Sequence, residues 1–435
     1  MNINDIRLQI FNSQLHSESV ILGCRSAGSQ ILRHILNITV LLLIPFLGKS
    51  QTPDTTFEKI QLLNTNISLV MSYYSQDGDH SAITGGIGTE ELTVFATSAA
   101  VGIDLDSNDR LLINLGIDVI TSASTDNIDF NVSSASYKDN RIWISAGYEH
   151  SFSKKRIQAG ILPSASMESD YLSFGVRAWV GYINKPQTSR YSFSFQSYFD
   201  DLRWGRLNPD FRRPVTLVYP AELRDTAWFD IYMRYSYVFS FDFQHDINQR
   251  MALSIAPGFA LQNGLLSTPF HRVYFEGHDI AVVENLPRNR SKFYLALQLN
   301  WFVGKRLILK PYYRFYTDDF GILAHTFALD FPIKISPQLS LVPFGRIYTQ
   351  IAAKYFSPFM ENSETSEYYT SDYDLSKFNS YKVGLGLSYV PFAWLGKSNA
   401  QFKEFSVRYS YYWRTDGLYA HIISTFFDFG FRRFK

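Results

Sequence analysis

The sequence predicts an all-β protein, a transmembrane antiparallel β-barrel of about 16 strands with short periplasmic turns and longer extracellular loops. Three observations predict it: a long strictly alternating stretch at 230–244, the return of that alternation along the chain, and an unusual load of aromatic side chains. In 230–244 the odd positions are Ile231, Met233, Tyr235, Tyr237, Phe239, Phe241 and Phe243, while the even positions include Asp230, Arg234, Ser236, Ser240, Asp242 and Gln244. Successive side chains of a strand point to opposite faces, so one face is apolar throughout and the other is charged and polar. Strands of soluble sheets usually run about 5 or 6 residues. A tilted membrane-spanning strand needs roughly 9 to 11, a length this stretch exceeds.

Composition agrees. The 435 residues include 28 Tyr and 36 Phe, so aromatics do much of the work usually given to Leu and Val, as the girdles of a membrane barrel require. The chain has 41 basic and 40 acidic residues. Residues 1–50 hold Arg7, Arg25, Arg33 and Lys49 against Asp5 and Glu18, which leaves 37 basic and 38 acidic residues beyond them. That balance lacks the basic excess of a nucleic-acid binder. The single cysteine, Cys24, lies in the part expected to be removed, so the mature chain is expected to have neither a disulfide nor a thiolate metal site, and no cofactor is indicated.

Taken in order, the chain opens with a leader. Arg33 and His34 precede an apolar run over 35–47, and Gly48 and Ser50 suit the small-residue positions before a cleavage site. A transmembrane helix needs about 20 apolar residues, so 1–50 reads as a signal peptide with an N-terminal extension. Gln51 follows, not Cys, which argues against lipid attachment. Residues 51–66 are expected to be a periplasmic lead-in and 67–435 the barrel. Strands are expected near 67–76, 91–105, 110–125, 141–152, 156–165, 170–184, 190–203, 228–245, 251–265, 292–303, 306–318, 323–335, 339–355, 380–393, 402–415 and 420–431. Short polar turns near 107–109, 153–155, 185–189, 246–249, 304–305, 336–338 and 396–400 join them in pairs. The segment 156–165 alternates least, and without it and a neighbour the count becomes 14. An even number leaves both termini on the short-turn side.

Alternation returns at 293–303, where Phe293, Leu295, Leu297, Leu299, Trp301 and Val303 face away from Tyr294, Gln298 and Asn300, and again at 404–414. Pooling the polar faces collects Arg177, Arg234, Lys310, Arg314, Arg346, Lys382, Arg408 and Arg414 with Asp118, Asp242, Asp330, Glu404 and Asp428. A basic group on the lipid side costs up to about 2–4 kcal/mol near the midplane, so these charges are expected to line the lumen. Mixed sign leaves two readings open: a water-filled passage lined by charge, or an interior cross-linked by ion pairs. Pro257, Pro311 and Pro343 fall within strands and are expected at bulges.

The loops carry the remaining candidates. In the glycine-rich loop at 75–92, Asp77, Asp79, Glu90 and Glu91 offer hard oxygen ligands for a cation, although the spacing matches no EF-hand; solvated carboxylates on a tight loop are the plainer reading. Catalysis finds little support. His80 adjoins Ser81 and His150 adjoins Ser151, but sequence neighbours on a strand point apart, and His325 and His421 have lipid-facing parity. No metalloprotease, phosphate-loop or dinucleotide motif occurs. The chain is therefore not expected to be an enzyme.

The blocks MSYYSQDGDHSAITGGIGTEEL at 71–92, LDSNDRLLINLGIDVITSASTDNID at 105–129 and RYSYYWRTDGLYAHIISTFFDFGF at 408–431 resemble the outer-membrane proteins of domain of unknown function 3570. That resemblance implies a Gram-negative outer-membrane barrel and no established substrate. The chain ends Phe434 then Lys435, so Phe429, Phe431 and Phe434 are expected to supply the aromatic signal read by the outer-membrane assembly machinery. Two functions remain in view: a porin-like passage for small polar solutes, since barrels of about 16 to 18 strands leave an aqueous channel, or a non-conducting barrel that docks an envelope protein partner. Outer-membrane lipid is the surrounding partner in both.

Overall fold

The computed structural model describes residues 62–122, 138–168, 171–203, 217–220, 223, 229–391 and 399–434. The expected leader and most of the lead-in lie outside these residues. The wall begins with β1 (Leu62–Asp77), β2 (Leu92–Asp104), β3 (Asp109–Ser122), β4 (Lys138–Phe152), β5 (Ile157–Met167), β6 (Leu172–Ile183), β7 (Ser189–Asp201), β8 (Met233–Asn248) and β9 (Met251–Gly264). A two-stranded hairpin, β10 (Arg272–Val273) and β11 (Val282–Val283), stands apart from the wall. The wall resumes with β12 (Asn289–Val303), β13 (Leu307–Asp318), β14 (Leu323–Asp330), β15 (Ile333–Lys334), β16 (Leu339–Gln350), β17 (Phe378–Tyr389), β18 (Ala400–Arg414) and β19 (Tyr419–Phe434).

Each wall strand pairs antiparallel with its neighbours, and β1 pairs with β19 without interruption from Leu62↔Phe434 to Asp77↔Tyr419. The sheet therefore closes and has no edge, the only form in which strands can cross lipid with every backbone group paired. Of its 17 strands, β14 and β15 share one register on β16, through Asp330↔Phe344 and Ile333↔Leu341, and form a single stave broken at Pro332. The wall thus has sixteen staves, including the weakly alternating β5. Among the described residues no helix is long and apolar enough to cross a membrane; the strands make the crossing.

Three boundaries move by five residues: the strand expected at 339–355 ends at Gln350, and the other two moves have a physical reason in the contacts. Residues 62–66, expected in the lead-in, extend β1 because β19 runs far enough to pair with them and Asn64 N–H donates to Asp104 Oδ2 at 3.0 Å. At the other extreme, residues 229–232 form a 3-10 turn and β8 starts only at Met233. Ile231 and Tyr232 are drawn into an apolar loop cluster with Leu217, Leu223 and Leu265, and Tyr232 Oη donates to the Leu223 carbonyl at 3.1 Å.

The two-sidedness is plain around the ring. Outward positions pair with outward positions, as Phe193↔Phe241 and Phe239↔Phe259 do, and side chains such as Phe174, 54% exposed, would be untenable in water as a continuous belt. Aromatic contacts mark both rims: Tyr182, Tyr191 and Phe243 at the turn end, Tyr381 with Trp413 and Tyr411 with His421 at the loop end.

The strand prolines do not form bulges, contrary to expectation. At Pro257 the β8–β9 ladder lapses between Ser240↔Gly258 and Phe243↔Ile255, yet the register is the same on both sides. Pro311 does the same between Gln298↔Tyr312 and Trp301↔Leu309, and Pro343 lies beside the break in the β14–β15 stave. A missing N–H deletes a rung without adding a residue, so strand phase survives. A true irregularity lies in β18, where the register shifts between Phe402 and Glu404. Lys403 is the extra residue, and it turns inward to donate to Asn66 Oδ1 at 2.5 Å.

Candidate functional site

All thirteen charges assigned to the lumen from sequence lie on strand positions opposite in parity to the exposed apolar set. Twelve of them are half-buried and Arg414 is buried. Some meet. Arg408 donates to Asp330 at 3.0 Å, with Lys310 across the register from the same carboxylate. Glu404 accepts from Ser388 at 2.9 Å and stands opposite Asp428, which accepts from Ser68 at 3.0 Å. Arg234 binds Asp200 at 2.8 Å. Others are held by rings or polar neighbours: Arg314 lies 4.9 Å from the Tyr294 ring, Arg177 lies 5.7 Å from Trp179, and Asp242 faces Ser192. Arg346 and Lys382 stand directly across from each other on β16 and β17.

Several inward charges escaped the sequence reading. Arg141 faces Asp118 in register, Glu149 accepts from Trp179 Nε1 at 3.1 Å, Asp318 is bound by Arg290 at 2.5 Å, and Arg110 and Arg190 occupy inward positions at the turn end. Most sit near strand ends, where the alternation that would flag them is short. Lys403 was unreadable for a different reason: its odd parity matches the lipid-facing Phe405, and only the bulge reverses it.

The mouth is a second, separately folded layer. The β1–β2 loop reaches the β10–β11 hairpin, which hangs between β9 and β12, eight staves from β1 in either direction round the ring. Gly85 (φ +87°) and Gly86 (φ +90°) make the approach possible, since a Cβ would lie 2.7 Å from the Tyr274 ring at the first and 2.8 Å from the Ser371 carbonyl oxygen at the second. His80 stacks on Tyr373 with centroids 3.8 Å apart. The β16–β17 loop is fixed to the wall by Arg414, which binds Asp374 at 2.5 Å, Asp416, and the Tyr373 carbonyl at 2.8 Å. An apolar cluster of Leu286, Phe320, Ile322, Ala324 and Ala353 packs on the inward-facing Tyr316 and Tyr348.

Within this layer Glu284, 2% exposed, accepts from Thr370 Oγ1 at 2.6 Å and from Thr268 N–H at 2.5 Å. His271 lies 3.7 Å from both Glu284 and Asp372. Burial opposes its cation, but the two carboxylates outweigh that and raise its pKa to about 8. Burial raises Glu90 to about 7, with Asp374 adding repulsion.

The four acids proposed for a cation do not gather. Asp77 accepts from Tyr419 Oη at 3.0 Å and from Gly78 N–H at 2.8 Å, while Glu90 is turned toward Gly78 and the mouth layer. Among the described residues no group of three or more His, Cys, Asp or Glu side chains could hold a metal ion. The histidines weighed for catalysis are used structurally: His150 bonds Asp109 at 2.5 Å, and His325 and His421 bond Tyr313 and Tyr409, each at 2.8 Å.

A closed sixteen-stave wall, greasy outside and ionised within, defines a porin-like membrane β-barrel. The chain belongs to the family described as protein of unknown function (DUF3570), which matches residues 132–423. No curated protein matches it. Among solved structures it is similar to a bacterial polysaccharide outer membrane secretin, at 10% identity and a TM-score of 0.42, covering 84% of this chain and 98% of that one. It is also similar to a BenF-like porin from Pseudomonas fluorescens Pf-5, at 6% identity and a TM-score of 0.40 over 84% and 98% of the two chains. Acinetobacter baumannii OccAB3 is similar at 8% identity and a TM-score of 0.39 over 85% and 99%.

Proposed function

We propose that this protein is an outer-membrane channel for small polar solutes, passive and without catalytic chemistry. One observation carries the reading: twelve of the thirteen inward charges distributed round the wall keep partial access to solvent, and both apolar clusters of the described residues lie at the loop end. A bore packed shut would bury those groups, at a cost of several kcal/mol for each ion left without compensation. Sixteen staves suit a hydrated passage, and the mouth layer then acts as its constriction. Lipid covers the outer belt, and the assembly machinery reads the aromatic end of β19. Purified protein added to planar bilayers is expected to give discrete conductance steps. Repeated insertions of folded protein with no steps would refute the channel and favour the barrel that docks an envelope partner.

A further inference from the structure

The ionised groups of the inner wall are unevenly shared. On β3 to β8, among the residues whose side chains are described, the inward arginines 110, 141, 177, 190 and 234 are matched by Asp118, Glu149, Asp200, Asp242 and Asp246, five against five. On β13 to β18 the inward cations are Lys310, Arg314, Lys334, Arg346, Lys382, Lys403, Arg408 and Arg414, and the inward anions are Asp318, Asp330 and Glu404, eight against three. Those five staves are net positive whatever local pairs their members form.

The excess is concentrated at mid-wall. Arg346 faces Lys382 across the register, and the next partners outward are Ala328 on β14 and Tyr412 on β18. Arg314 stands between Ala296 and Thr326. Two like charges placed directly opposite each other disfavour the sheet, and inward-facing neutral side chains would serve a purely structural wall better. The guanidiniums of Arg314 and Arg346 lie 4.9 Å and 5.7 Å from the rings of Tyr294 and Tyr348. Such contacts fix a cation without neutralising it.

We infer that the passage selects small anions, carboxylates foremost, along a strip of wall formed by Arg314, Arg346 and Lys382. The inference rests on the channel reading and adds the sign of the solute to it. A carboxylate can take both N–H donors of an arginine edge and pass to the next cation, while a cation meets repulsion there. One unit charge met at about 4 Å in water is worth a factor of about five in relative preference.

Reversal potentials in a potassium chloride gradient, repeated with potassium acetate, provide the test. The protein is expected to favour the anion about fivefold. Replacing both wall cations, Arg346→Ser with Lys382→Ser, is expected to bring the ratio close to unity, while the charge-preserving pair Arg346→Lys with Lys382→Arg keeps it and guards against a folding artefact. Conductance with no anion preference, or with cation preference, overturns the inference and leaves the channel standing. Anion preference that survives the double serine variant overturns the assignment to this strip. Absence of any conductance removes the channel itself, and the inference with it.

Discussion

His271 is the residue on which the mouth layer turns. It sits between Glu284 of the β9–β12 loop and Asp372 of the β16–β17 loop, and its folded pKa of about 8 lies above the ordinary 6.5. The folded layer therefore binds more protons than the opened one, and the stabilisation is full below about pH 6.5 and is lost as the pH passes about 8. Glu90 works in the same direction, because its folded value of about 7 exceeds the ordinary 4.5 and its ionisation must be met inside the layer. Loop amides are thus expected to exchange hydrogen more slowly below about pH 6 than above about pH 8 once intrinsic rates are removed, with the wall unchanged. Equal protection at both would rule the pair out as the clasp. Gly86 gives an independent check. Gly86→Val forces a side chain into a φ of +90° and against the Ser371 oxygen, and is expected to cost about 1–3 kcal/mol of local stability, read as faster proteolysis within 351–377.

At the scale of the strand, face matters more than residue type. Phe327 and Thr326 are neighbours in the middle of β14, one half exposed to the outside and the other turned toward Tyr348 inside. Phe327→Arg is expected to destabilise the inserted barrel by about 2–4 kcal/mol, whereas Thr326→Arg should change it by well under half of that. Urea titrations in lipid vesicles, followed by tryptophan emission, would compare them. Similar losses for both would contradict the assigned faces. The same logic makes β18 instructive. One extra residue at Lys403 separates the outward Phe402 from the inward Glu404, so deleting Lys403 is expected to heal the bulge, keep both residues on their faces and leave the yield of correctly inserted barrel unchanged, measured as the heat-modifiable band on cold gels.

For the whole molecule, closure and capping rest on separate sets of contacts. The wall closes by sequential hairpins and one long-range pairing, β1 with β19. The cap joins loops from opposite sides of the ring by way of the β16–β17 loop, through His80 on Tyr373 and Asn285 with Tyr369. A wall that stands by itself should survive removal of the cap. Replacing 270–284 by a short Gly-Ser linker is expected to leave folding intact and raise single-channel conductance, with the cap's pH dependence lost. Unchanged conductance would place the narrowest point in the bore instead. Much of the wall was legible beforehand: sixteen staves, their approximate limits, six of the seven turns and the inward parity of charges such as Asp118 and Arg346 all follow from alternation, while most of the turn expected at 396–400 lies outside the described residues. Exceptions arise where alternation stops being local evidence. Ile231 leaves its stave to join the loop cluster, Pro257 and its kin cost a rung rather than a bulge, and the acids of 77–91 form no group of three or more that could hold a metal ion.

By itself the sequence determined a closed barrel in lipid, because which face of each strand meets hydrocarbon is written at a period of two within the strand and needs no knowledge of the remainder. Tertiary structure alone decided what fills the mouth, how the positive charges gather on five neighbouring staves, and which way Lys403 points. Those depend on register and on contacts between residues as far apart as His80 and Tyr373, whose loops carry no periodic signal of where they will meet.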